Sequence, residues 1–267
     1  MAPLPVPSLG QSVVAVFKLE WKRTLRGRKL RLGIIATALV VAAGIVAGRV
    51  AAEVVEPAEL MEGSVRYGFF GILAYLLPFL FTSGSVADDV ETRTFPYLAM
   101  RSAGRFATAL GKYLTGAAVS VGILTAGVLL LHVGAYVTDP GEMVEQLDTT
   151  FRYIGALSLL ALCYCAICLL WGTLVVEAAG LVSTLYLALV EFGLGLMPGF
   201  VRLVSMNYLA TQLAGLPRGG FDLESVGVVV PEVETWICGV VVGVVGVVFL
   251  ALASLVVKTS EFGFGKA

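Results

Sequence analysis

Charge is what this chain has least of. Only 14% of its 267 residues are Asp, Glu, Lys or Arg, against 58% hydrophobic, and the mean hydropathy is +0.92. That balance excludes an ordinary soluble domain, because several apolar runs reach the roughly 20 residues that span a bilayer. Histidine occurs once, at His132, and neither HExxH nor GxSxG is present, so the signatures of a membrane-embedded metalloprotease or serine hydrolase are missing. The four cysteines, Cys163, Cys165, Cys168 and Cys238, all fall in apolar runs and make no disulfide framework. The first three are spaced i, i+2, i+5, which spreads them around a helix instead of gathering a soft-metal site. Gly104 and Gly111-Lys112 do not form a P-loop: six residues separate the glycines where four are required, Tyr113 stands in place of Ser or Thr, and no strand precedes them. A net charge of −1 leaves no basic footprint for nucleic acid. The opening MAPLPVPSLG has no charged region before an immediate apolar core, so the first membrane segment is expected to be retained.

What is present reads as an all-α polytopic membrane protein forming one transmembrane domain over 1–267. Six transmembrane helices are expected, at 31–50, 67–86, 107–134, 152–176, 179–199 and 234–257, because a lone segment in lipid must satisfy its own backbone hydrogen bonds. Before them, residues 11–31 place Val13, Phe17, Trp21 and Leu25 four apart beside Lys18, Lys22 and Arg26. This pattern predicts an N-terminal interfacial helix, with Phe17 and Trp21 at headgroup depth and Lys22 and Arg26 toward the phosphates. With both termini cytoplasmic, 13 of the 18 Lys and Arg lie inside (Lys18, Lys22, Arg23, Arg26, Arg28, Lys29, Arg31, Arg93, Arg101, Arg105, Lys112, Lys258 and Lys266). Only Arg49, Arg66, Arg152, Arg202 and Arg218 lie outside, so the positive-inside rule selects that orientation. The outer loops are acidic and short except for 200–233, which is expected to hold a helix lying on the outer surface or dipping into it. No loop is long enough for a soluble ATPase.

The most polar interior segment on the inner side is 88–112, DDVETRTFPYLAMRSAGRFATALGK. Thr94 can cap a helix with Pro96 in its first turn, and Phe95, Leu98 and Ala99 share one face of it, offering an apolar knob to a groove in a partner. In this segment the chain resembles the type-2 ABC-transporter permeases, whose first intracellular loop reads Glu, then Gly-Thr, Leu-Leu, Pro, Ser-Arg and Gly-Lys. Asp89 takes the Glu position, Thr94 the Thr, Leu98 the first Leu, Arg105 the Arg and Gly111-Lys112 the closing pair. Arg93 stands where Gly is usual and Ser102 where Pro is usual. The KLEWKRTLRGRK segment is similar to the family's elbow helix, the turn at Glu177 to its second cytoplasmic contact, and ASLVVKTSEF to its end.

The resemblance implies a permease subunit of a prokaryotic inner membrane that dimerises with a second permease subunit and docks separate ATPase subunits through a coupling-helix loop at 88–105. The chain would bind no cofactor, ATP and Mg belonging to the partner. It would carry no catalytic residue, and Asp89, Thr94, Phe95, Leu98, Arg105 and Glu177 would transmit the ATPase motion. By span order in the family, Tyr75, Phe79, Phe81 and Glu191 would face a substrate path. Export of an amphiphile (a lipid, peptide or natural product) is the first expectation. One alternative is a permease that passes ATP-driven motion to a periplasmic partner without bulk transport. Another is a secondary transporter dependent on Glu191. That intramembrane acid reads either as a pathway residue or as a structural group paired with Arg202 or reaching outer water.

Overall fold

The computed structural model describes residues 8–51, 56–91, 104–137, 140–195, 197, 199–216 and 233–259. Among them there is no strand. Helix α1, Leu9–Arg26, starts on a reciprocal cap: the Ser8 hydroxyl accepts from the Gln11 amide, and the Gln11 side chain accepts from the Ser8 amide. It stops at Gly27, whose extended backbone (φ −76°, ψ 153°) turns the chain before α2, Arg28–Ala51, begins. The expected interfacial segment 11–31 is therefore two elements, and Arg28 and Arg31 belong to the first membrane helix.

The next rod is built from α3 (Pro57–Gly63), a π-helical stretch Ser64–Leu73, α4 (Ala74–Pro78) and a second π-helical stretch Phe79–Ser83. After a turn comes the short α5, Ala87–Glu91. Then follow α6 (Arg105–Tyr136), α7 (Pro140–Glu145) and α8 (Leu147–Leu174). A single 3-10 turn at Val176–Ala178 leads into α9, Ala179–Tyr186, which continues as π-helix over Leu187–Leu194. A 3-10 segment Gly199–Val204, α10 (Met206–Ala214) and α11 (Thr235–Thr259) complete the described chain.

Among the described residues, five helical segments are long and apolar enough to cross a membrane: Arg28–Val50, Pro57–Asp89, Arg105–Tyr136, Leu147–Leu174 and Thr235–Thr259. The expected fifth span, 179–199, is not among these five. Its α-helical and π-helical pieces are 8 residues each, so together they rise only about 24 Å, short of the roughly 30 Å of hydrocarbon. The second span is longer than the expected 67–86 and starts at Pro57, where proline at the first helical position has no lost hydrogen bond to regret.

Helix α8 is the axis of the bundle. Of its apolar window 67% is buried, against 17% for α2 and 22% for α11, which stand at the periphery. Its inward residues Leu157, Leu160, Tyr164 and Ile167 form one core with Phe69, Phe70, Leu73 and Leu77 of the second span. Lipid tails are as apolar as these side chains, so the association rests on close packing, and small residues set the distances. A methyl group on Gly172 would overlap the carbonyl of Ser83, and one on Gly116 would overlap Thr82. Gly44 is equally committed within the chain, since a methyl there would meet Ser64 at 2.8 Å and Leu131 at 2.9 Å. The four cysteines are buried thiols, and Cys165 donates to the Ser120 hydroxyl at 3.9 Å.

Candidate functional site

The basic end of the bundle is fastened by a cluster of opposite charges. Lys112, in the second turn of α6, points its ammonium at Asp89 Oδ2 (2.6 Å), Glu20 Oε1 (3.0 Å) and the Ser85 carbonyl (2.5 Å). Its side chain is 1% exposed, as is that of Asp89. Arg23 donates to the other oxygen of Asp89 at 2.8 Å, and that hydrogen bond, foremost, raises its pKa above the ordinary guanidinium value. A looser pair joins Lys29 to Asp88 at 2.8 Å, with both side chains nearly half exposed. Three cations thus meet three anions, drawn from α1, the start of α2, α5 and α6.

Local sequence explains why each arm reaches. Glu20 lies on the face of α1 that buries Ser12, Val13 and Val16, and that face seats on Gly111, where a methyl would meet Val16 at 2.7 Å. With Val16 against Gly111, Glu20 one turn on lies within reach of Lys112. Ions removed from water hold only when paired and hydrogen-bonded, a condition Lys112 meets with two carboxylates and a carbonyl. Two rods and the N-terminal helix are thereby joined at the root of the 92–103 segment.

Among the sequence-predicted coupling residues, Asp89 is at the centre of this cluster. It is one of three acids paired to neighbouring elements. Thr94, Phe95 and Leu98 lie outside the described residues. Arg105 opens α6 and donates to the carbonyl of Lys258 at 3.4 Å, tying the first turn of α6 to the last turn of α11. A cation is favoured there by the negative end of the α11 dipole. Glu177 is exposed on the Val176–Ala178 turn, and this turn packs against α5, so the two expected contacts with a partner adjoin. Leu174 and Val175 beside it are exposed.

Of the predicted interface residues, Phe17 and Trp21 are half-buried and stacked with centroids 5.6 Å apart, while Lys22 and Arg26 are exposed. Glu20 and Arg23 were missing from the predicted site, and Lys112 was read only as the close of the 88–112 motif. Their signal was present: Glu20 is the only acid in the first 52 residues, and Lys112 is a charge two turns into an otherwise apolar helix. The pairing itself was not legible, because the partners are 66 and 92 residues apart in sequence.

The second predicted set gathers partly. Tyr75 and Tyr164 stack at 5.2 Å near the buried Glu191. Glu191 Oε2 accepts from the Ser205 hydroxyl at 2.8 Å and from the Asn207 amide at 3.2 Å. The acid therefore holds the first turn of α10, whose Met206, Tyr208, Leu209, Ala210 and Ala214 are buried against the bundle. Helix α10 lies within the 200–233 loop and packs against the bundle. Arg202 is not an ion-pair partner of Glu191; its guanidinium stacks 4.5 Å from the Tyr208 ring. Phe79 is half-buried on the second π-helical stretch, where its ring end approaches Gly180 of α9. No family model matches this sequence, and no curated protein matches it.

Proposed function

We propose that this chain is the membrane subunit of a type-2 ABC permease, working as a dimer with separate ATPase subunits and exporting an amphiphilic molecule across a prokaryotic inner membrane. In this reading the basic end is cytoplasmic and Ala179–Leu194 completes six crossings, with the 199–214 hairpin filling the remaining depth. The observation that carries the reading is the Asp89–Lys112–Glu20–Arg23 cluster. It sits at the root of 92–103, so a displacement delivered to Phe95 and Leu98 passes at once to α1, the second span and α6. The adjoining Glu177 turn supplies the other contact expected of a docked ATPase. Glu191 in this reading is a tether between the 187–194 helix and α10. Its contacts favour that over a proton-coupled secondary transporter.

The test is co-purification of the tagged chain from its native membrane, with crosslinking and an ATPase assay, comparing wild type with Phe95→Asp plus Leu98→Asp. Recovery of a soluble ATPase with wild type and its loss in the double variant is the expected result. A wild-type chain that purifies alone, with no crosslinked ATPase, refutes the reading.

A further inference from the structure

The ion cluster divides the basic residues of the N-terminal segment into two sets. Of the seven Lys and Arg between Lys18 and Arg31, Arg23 and Lys29 are engaged by Asp89 and Asp88, and the one acid, Glu20, is engaged by Lys112. Five cations remain: Lys18, Lys22, Arg26, Arg28 and Arg31. All are exposed, and none forms an ion pair with a described residue. Three of them follow the apolar row one residue on, Lys18 after Phe17, Lys22 after Trp21 and Arg26 after Leu25, so the two rows run side by side along α1. The apolar row is incompletely covered by the bundle: Val13 is buried, but Phe17 and Trp21 are only half-buried and Leu25 is 49% exposed. The bend at Gly27 sets Arg28 and Arg31 at the head of α2, continuing the same cationic patch.

We propose that this surface selects anionic phospholipid, holding diacyl lipids with a net negative headgroup in preference to zwitterionic ones. The inference rests on reading α1 as a helix lying in the membrane surface. Charge complementarity identifies the occupant: five cations with no ion-pair partner among the described residues attract a negatively charged leaflet, and long Lys and Arg stems keep their heads in the phosphate layer while the adjoining row enters hydrocarbon. A soluble acidic protein would satisfy the cations but leave the apolar row in water.

The test uses the full chain carrying Trp171→Phe and Trp236→Phe, which leaves Trp21 as the only tryptophan. It is reconstituted in vesicles of phosphatidylcholine and phosphatidylglycerol at a fixed ratio of about four to one, with brominated acyl chains carried either by the phosphatidylglycerol or by an equal fraction of the phosphatidylcholine. Brominated phosphatidylglycerol is expected to quench Trp21 at least about twofold more, the preference fading at high salt. It should vanish in the Lys18→Gln, Lys22→Gln, Arg26→Gln variant. Equal quenching by the two lipids in the parent chain overturns the headgroup selectivity while leaving α1 at the interface. Absence of quenching by either overturns both. A variant that keeps the preference overturns the assignment to this row. Should Trp171→Phe disturb the fold, the difference in quenching between wild type and Trp21→Phe reports the same quantity.

Discussion

Replacing Lys112 by methionine isolates the worth of the buried ion cluster, since methionine keeps an unbranched side chain of similar length and removes only the charge. In the native protein the ammonium serves two carboxylates and a carbonyl within 3.0 Å, on a side chain 1% exposed. Without it Glu20 loses its ion-pair partner, and Asp89, equally buried, loses one cation and retains Arg23. Removing one member of a buried pair costs about 3–5 kcal/mol because the other charge is left uncompensated. The retained Arg23 contact at 2.8 Å places the expectation at the lower end, about 3 kcal/mol. For a chain of this size that corresponds to a fall in Tm of roughly 6–12 °C. Thermal stability read by fluorescence-detected size exclusion in a mild detergent measures it. The double variant Lys112→Met, Asp89→Asn removes a cation and an anion together, and its loss should fall short of the sum of the singles by at least about 1.5 kcal/mol. A single variant melting within about 2 °C of wild type, or strictly additive singles, would refute the account of the cluster as a coupled unit.

The half-exposed Lys29–Asp88 pair provides the contrast: Lys29→Gln should cost less than about 1 kcal/mol in the same assay. Gly172→Ala forces a methyl against the Ser83 backbone and should cost about 1–3 kcal/mol, whereas Gly243→Ala, whose nearest neighbour is Leu159 at 4.0 Å, should leave the melting point unchanged. Glu191→Ala strips the acceptor from Ser205 and the Asn207 amide and should cost about 1–3 kcal/mol, with Glu191→Gln milder because it keeps one carbonyl oxygen. Limited proteolysis around 199–216 should register the same order, and a Gln variant cut as readily as the Ala variant would count against the tether.

Hydropathy located the outer helices because each is a continuous apolar run with charges only at its ends: 31–50 became Arg28–Ala51, 107–134 became Arg105–Tyr136, and 234–257 became Thr235–Thr259. It failed at the start of the second span, where Glu59, Glu62 and Arg66 lie along a helix that still continues into the bundle, and where only Pro57 marks the beginning. It gave no hint that, near the fifth run, α10 packs against the bundle beside the Leu187–Leu194 helix. There the first turn of α10 is held by Glu191, Ser205 and Asn207, contacts that a window average does not register. The site divided along the same line. Residue types and spacing marked 88–112 as the polar segment to examine, and Asp89 within it. The cations that neutralise Asp89 came from α1 and α6, and long-range pairing has no local periodicity to betray it.

The order in which the charges of the cluster are synthesised gives it a further meaning. Glu20 and Arg23 emerge first, Lys29 next, then Asp88 and Asp89, and Lys112 last. Until Lys112 is made, the group holds three anions against two cations, and Arg23, the cation already at the deepest of the anions, is itself exposed. The sixth charge arrives just inside the helix that must insert next. The arrival of Lys112 therefore balances the six charges of the cluster, and a chain halted before residue 112 carries its imbalance as a mark of unfinished assembly.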